Sequence, residues 1–421
     1  MKKYLNTACL FLLLIGLLGC SSDDDSNFDP TDTGSNPIDP TNPASNLCEN
    51  GIAGGIYPCS GFDLVSRIPL STMSAGEGND SWGWTDPVDG KEYAIMGLDN
   101  GTAFIDISTP DTPIYLGKLP TATVNSPWRD VKVYLNHAFI VSEAPGHGMQ
   151  VFDLTRLRDV ANPPLTFDAD FRFTDFGSAH NIVINEDSGF AYAVGTDRLG
   201  MYQGGPVFIN IQDPKNPTAA GGFLSGGQRA YSHDAQVINY QGPDVDYTDK
   251  EILIGSNEIE IVIADVTDKD NPTTISTIKY SDVGYTHQGW FTEDMKYFIL
   301  GDETDEQGIG FNTRTIIFDL TDLDNPKEHF TYTGPTPAID HNGYVKGSTF
   351  YLANYRAGVR VIDISDIENK NITEIGFFDT YPTSDSASFD GVWNVYPYFE
   401  SGNIVISDIQ KGLLLIHASA P

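Results

Sequence analysis

Four histidines recur along the chain at nearly constant intervals: His180, His233, His287 and His341 are separated by 53, 54 and 54 residues. Imidazole is the commonest metal ligand among side chains and carries protons near neutral pH. Carboxylates that fall at or just beyond the ends of the second strands accompany them in Glu143, Glu258, Asp302 and Glu303. Imidazole with carboxylate suits Zn²⁺ or another transition ion, and a carboxylate-rich site suits Ca²⁺. No His-Glu-x-x-His spacing joins the donors locally, so any convergence must come from the fold. The competing reading is architectural. Repeats inherit residues by duplication, and a histidine at one place in successive units can hydrogen-bond its neighbour's backbone.

Other residues offer weaker chemistry. His147, flanked by glycines and close to Glu143, is a candidate general acid or base. The run Gly301-Asp-Glu-Thr-Asp-Glu306 reads as a solvated acidic loop, with calcium as the alternative, although its spacing is not that of an EF-hand. His137 and His329 read as loop or surface residues. No nucleophile elbow, phosphate loop or reactive-cysteine motif is present, and no catalytic residue is assigned.

The elements that must position these residues are repeats. A strand of alternating apolar residues closing on a polar residue occurs seven times, in Ala103–Ser108, Gln150–Thr155, Val207–Gln212, Val262–Thr267, Ile316–Thr321, Arg360–Ser365 and Leu414–Ser419. Prolines such as Pro110, Pro214, Pro272 and Pro326 follow and stop it. Upstream of each lies a polar element taken to begin the unit: Trp84-Thr-Asp86, Arg129-Asp130, His180-Asn181, His233-Asp234, His287-Gln288, His341-Asn342 and Trp393-Asn394. A second strand lies between, and a fourth follows the proline turn, as in Ile114–Lys118, Thr274–Ile278 and Ile372–Phe378. Four-stranded units of roughly 50 residues with hardly any helical periodicity predict an all-β, seven-bladed β-propeller over residues 62–421. The last unit lacks its fourth strand, and Phe62–Leu70 supplies it, so that the ring closes beside Leu413–His417. First and second strands of a blade meet on one face of such a ring, which would gather the histidines and carboxylates at one mouth. Trp82, Trp84, Trp128, Trp290 and Trp393 lie near strand starts, as packing between blades or as a platform for sugars.

Val361-Ile-Asp-Ile and its relatives resemble the LVIVD repeat, and Trp82-Gly-Trp-Thr-Asp86, Trp128–Val133, His147–Asp153, Tyr285–Trp290, Gly301-Asp-Glu303 and Asp340-His-Asn342 resemble the choice-of-anchor B family. That resemblance covers nearly everything after Cys48 and implies an extracellular propeller attached by a separate device, with no settled activity and no catalytic residue to carry over.

The N-terminus supplies such a device. Lys2 and Lys3, an apolar stretch over Leu10–Leu18 and Leu17-Leu-Gly-Cys20 have the layout of a lipoprotein signal over residues 1–20, with Cys20 acylated. Ser, Asp, Pro, Asn and Thr dominate residues 21–46, a flexible acidic tether, and the aspartates Asp23–Asp25 resemble an export tag to the outer face of an outer membrane. Residues 47–61 form an entry segment tied by a Cys48–Cys59 disulfide. The net charge of −34 argues against a nucleic-acid partner. Together these features describe a cell-surface binding or interaction module for an extracellular ligand, polymer or protein. The alternative is a metal-dependent hydrolase or lyase with a His/carboxylate site at the mouth.

Overall fold

A computed structural model describes residues 46–224 and 229–420. Cys20 and the tether up to residue 45 lie outside the described residues. Seven antiparallel sheets follow one another along the chain, each with its four blade strands in order from the axis outward, and together they make a seven-bladed β-propeller. The first strands are Gly78–Thr85, Arg129–Tyr134, Asn181–Asn185, Asp234–Asn239, Thr286–Phe291, Gly343–Lys346 and Val392–Tyr396. The only α-helix among the described residues is the single turn Asp305–Gly308.

The recurrent apolar phrases are the third strands, Gly101–Asp106 through Gly412–Ala418. They read as nearly unbroken hydrophobic runs because a middle strand of a blade is covered on both faces by the neighbouring blades. Phe104 and Ile105, for example, belong to two different clusters on opposite faces of one blade, and both are fully buried. The first five of these strands end on an aspartate or asparagine whose side-chain oxygen accepts from the backbone N–H two residues on, as with Asp106 and Ser108 (2.9 Å) or Asp265 and Thr267 (2.9 Å). That Asx turn fixes where the strand stops, and the proline behind it prevents its resumption.

Ring closure occurs as the sequence implies. Phe62–Ile68 pairs antiparallel with Gly412–Ala418, from Phe62 opposite Ala418 to Ile68 opposite Leu413. The last blade thus takes three strands from the C-terminal end and one from the N-terminal end, and Gly412–Ala418 is paired on both sides. Just before it, Tyr57–Ser60 adds to the outer edge of the sixth blade beside Asn371–Phe378, and Cys59 in that strand is bonded to Cys48.

The first unit differs from expectation. Trp84–Asp86 lies at the far end of its inner strand, because that strand begins at Gly78. The residues equivalent to Arg129-Asp130 are Asn79-Asp80: Asp80 Oδ1 accepts from the N–H of Ser81 just as Asp130 Oδ1 accepts from Val131 and Asp234 Oδ1 from Ala235.

Candidate metal centre at the channel mouth

Seven inner strands surround the axis, so whatever residue type occupies one register of the repeat becomes a ring in space. The upper ring is Asn79, Arg129, His180, His233, His287, His341 and Trp393, and the ring beneath is Asp80, Asp130, Asn181, Asp234, Gln288, Asn342 and Asn394. The lower ring stitches blades together. Asp130 Oδ2 accepts from the N–H of Ile182 (2.8 Å), Gln288 Oε1 accepts from the N–H of Gly343 (2.9 Å), and the Asn394 amide donates to Asp80 and to the Ser81 carbonyl.

Within that ring sits one buried cation. Lys132 Nζ lies 2.5 Å from Asp130 and 4.7 Å from the centre of the Trp82 ring. Burial opposes its charge, but Asp130 and Asp80 outweigh that and raise its pKa. Burial holds Asp80 well above its ordinary value, and Asp234 at about 7 against an ordinary 3.8, so burial works against the charge of both carboxyls near the lysine. Below, Trp82, Trp290, Tyr344, Tyr396 and Tyr398 pack edge to face and close the axis, with centroid separations such as 5.0 Å for Trp290 and Tyr344. These tryptophans pack between inner strands and offer no exposed sugar platform.

The four histidines do converge. Their rings follow one another round the mouth with centroid separations of 4.1, 4.4 and 4.4 Å from His180 to His341. Glu303 reaches in from the end of a second strand: its Oε1 stands 3.6 Å from His287 Nε2 and 3.7 Å from His341 Nε2, and it accepts from the Tyr355 hydroxyl at 3.0 Å. One donor atom each from His233, His287 and Glu303 lies within 4.8 Å of the other two. A single ion among them requires a movement of under about 1 Å per ligand to reach Zn–N and Zn–O distances near 2.0–2.1 Å.

The electrostatics favour ligands over acids. Burial first, and the neighbouring imidazoles second, push His233 and His287 well below 6.5, so both are neutral with a lone pair available. His341 falls to about 3 through burial. Its Nδ1 donates to the Trp393 carbonyl at 2.5 Å, which leaves Nε2 as a lone pair pointing at the Glu303 carboxylate. Two acceptors facing each other at 3.7 Å make no hydrogen bond; they need a proton or a cation between them. Burial accordingly raises Glu303 to about 7. His180 is the exception: burial would lower its pKa, but the Glu143 carboxylate, 2.7 Å from Nδ1, overrides this and favours the imidazolium. His341 thus fulfils the architectural reading through Trp393, whereas His287 Nδ1 has no hydrogen-bond partner and supports nothing in the next blade.

Several expected members stand elsewhere. Glu258 is held by Arg198 at 2.8 and 3.2 Å and is not among the donors that converge with His233, His287 and Glu303. Asp302 faces the backbone N–H groups of Gly284 and Tyr285 (2.9 and 2.6 Å) and the Tyr280 hydroxyl, since the pleat turns successive residues to opposite sides and gives the mouth to Glu303 alone. His147 is fully buried, its Nδ1 donating to Gly148 O (2.9 Å) and its Nε2 accepting from Arg129 (3.0 Å), and burial lowers it to about 4, which removes it as a general acid or base at the mouth. His137 opens a strand and is buried. The acidic run at 301–306 is buried rather than solvated. Asp80 and Asn79 were missed because the first unit carries no histidine or aromatic at this register; counting about one repeat back from Arg129 reaches them.

No protein-family model matches the chain, and no curated protein matches it in sequence. Among solved structures it is similar to the hydrazine synthase of Kuenenia stuttgartiensis, with a TM-score of 0.54 at 10% identity over 78% of this chain and 92% of that one. It also aligns with the Cps50 (Swd1) β-propeller domain of Myceliophteria thermophila, at a TM-score of 0.49 and 10% identity over 78% of this chain and 94% of that one. At this identity the likeness concerns the fold, and the fold fits a binding or interaction module in general.

Proposed function

We propose that the chain is a lipid-anchored, cell-surface propeller that holds a divalent transition ion, Zn²⁺ by preference, at its channel mouth and presents it to an extracellular ligand, polymer or protein. The observation that carries this reading is the approach of His233, His287 and Glu303 donors to within 4.8 Å of one another, both imidazoles being neutral. Three protein donors leave a coordination position for a basic group of the ligand. The address rests on sequence: Leu17-Leu-Gly-Cys20, the aspartates behind it, and the resemblance of the repeats to LVIVD and choice-of-anchor B propellers. A rigid ring held off a membrane by a tether of about 26 residues suits capture at a distance from the bilayer.

A second reading is favoured by one feature. The His180 imidazolium, paired with Glu143, lies with its ring centre 4.1 Å from that of His233, in place to hand a proton to a leaving group, as a metal-dependent hydrolase or lyase requires. Metal content by plasma mass spectrometry tests both. The full chain loaded with Zn²⁺ and desalted should retain about one ion, and His233→Ala and His287→Ala, with unchanged circular dichroism, should lose it. A folded wild-type chain that retains none would sink both readings. Binding without turnover selects the module, and turnover abolished by His180→Ala selects the enzyme.

A further inference from the structure

An exposed cation stands at the rim of the mouth. Arg198 follows the second strand of the third blade, Phe190–Val194, on a turn in which Asp197 Oδ1 accepts from the N–H of Leu199 (2.8 Å) and the Asp197 carbonyl accepts from that of Gly200 (2.9 Å). Its guanidinium reaches across to the neighbouring blades. Cζ lies 3.6 Å from the centre of the Tyr231 ring, and the two terminal nitrogens donate to the two carboxylate oxygens of Glu258 at 2.8 and 3.2 Å. Tyr231 stands two residues before His233, and the Glu258 carbonyl accepts at 2.7 Å from the N–H of Thr286, the residue before His287. The guanidinium is thereby fixed beside the entries of the strands that bring His233 and His287 to the mouth. Its charge is felt there: after burial and the neighbouring imidazoles, Arg198 is a further cause of the low pKa of His233.

A stack on tyrosine and a bidentate carboxylate hold a guanidinium flat and oriented. They do not exhaust it. An arginine presents more N–H groups than one carboxylate accepts, and the pair with Glu258 uses only the terminal nitrogens, leaving the Nε–H. The Arg198 side chain is 51% exposed, and an ion pair with so open a partner is weakly held, so that a second carboxylate can bind beside Glu258 or take its place. The local charge favours such a guest. Glu143 offsets His180 and Glu258 offsets Arg198, so a divalent ion bound by an ionised Glu303 leaves the mouth with one net positive charge. A carboxylate matches that charge, whereas a phosphate dianion exceeds it.

We infer that Arg198 is the specificity-determining residue of the mouth: a ligand whose basic nitrogen coordinates the ion there is selected for a carboxylate that the Arg198 guanidinium receives. This assignment rests on the ion-binding reading of the mouth and names the class of ligand that site takes, molecules that carry both a metal-binding nitrogen and a carboxylate, as peptides and amino-acid derivatives do. A lysine at this place would supply the charge without the planar fork that a carboxylate fits.

Calorimetric titration of the Zn²⁺-loaded full chain with imidazole, imidazole-4-acetate and 3-(imidazol-4-yl)propionate tests it. The probes share the coordinating nitrogen and differ in the carboxylate and its reach. The wild type should bind one of the two acids at least about tenfold more tightly than imidazole, the worth of roughly one charge-assisted hydrogen bond. Arg198→Gln, folded by circular dichroism, should bring that ratio below about threefold, and Arg198→Lys should restore it only in part. A wild type that prefers neither acid, or a preference kept in Arg198→Gln, overturns the inference and leaves the metal site standing. A chain that retains no Zn²⁺ fails at the ion itself, and one that retains Zn²⁺ but binds none of the three probes fails at its open coordination position; either result overturns the role of Arg198 along with that reading.

Discussion

Glu303→Gln separates what the carboxylate does to the fold from what it does for a metal. The native side chain is fully buried and its pKa rises from an ordinary 4.5 to about 7, burial being the main cause. Between those values the folded chain holds the proton and the unfolded chain releases it. Stability from this group is therefore complete below pH 4.5 and is lost as pH rises through 7; a shift of some 2.5 pH units corresponds to about 3 kcal/mol. Glutamine keeps the shape, can still accept from Tyr355 and never ionises. In the presence of chelator, urea unfolding followed by tryptophan fluorescence should show the difference between variant and wild type moving by about 3 kcal/mol in the variant's favour from pH 4.5 to pH 8. The other titrating groups are common to both chains and cancel in the difference. Zn²⁺ at a hundredfold excess over its dissociation constant should then restore about 2.7 kcal/mol to the wild type at pH 8 and much less to the variant. A variant-minus-wild-type difference that does not change with pH would refute the burial argument. Equal stabilisation of both chains by Zn²⁺ would remove Glu303 from the ligand set.

Two further outcomes follow from the same geometry. Lys132→Met keeps most of the side-chain volume but leaves the buried Asp130 without its cation, so urea unfolding at pH 7 should show a loss of about 3–5 kcal/mol, and a variant as stable as the wild type would refute the role of the pair. Deleting residues 60–70 removes the strand paired with Gly412–Ala418 and should abolish cooperative unfolding in calorimetry, whereas an unchanged melt would show that the ring does not depend on its closure.

Much of the architecture was legible because it is written locally. Alternating apolar residues ending on Asp or Asn mark every third strand but the last, with a proline close behind in the first, third, fourth and fifth blades, and an Asx turn needs only neighbours in sequence to form. The missing strand after His417 and the spare one at Phe62 were legible as a mismatch between the two ends of a repeat. Ring positions came from the 53 and 54 residue steps, since equal spacing in a closed repeat becomes equal height on an axis. The first blade escaped that reasoning because Trp84 resembled Trp393 more than Asn79 does.

Side-chain direction and burial were decided only in three dimensions. Asp302 and Glu303 are adjacent carboxylates with the same composition around them, yet one faces backbone donors and the other the histidines, because the pleat alternates and the blade sits at a particular rotation about the axis. His147 looked reactive between glycines and is instead locked between Arg129 and Gly148. The acidic run at 301–306 read as solvated, since composition alone places charge in water; it is the arrival of Asp340 from the next blade, against the bare Cα of Gly301, that buries it. Sequence thus determined which residues share a register and a ring, a matter of period and turn chemistry, whereas the pairing of those rings with carboxylates from other strands depended on how neighbouring blades pack.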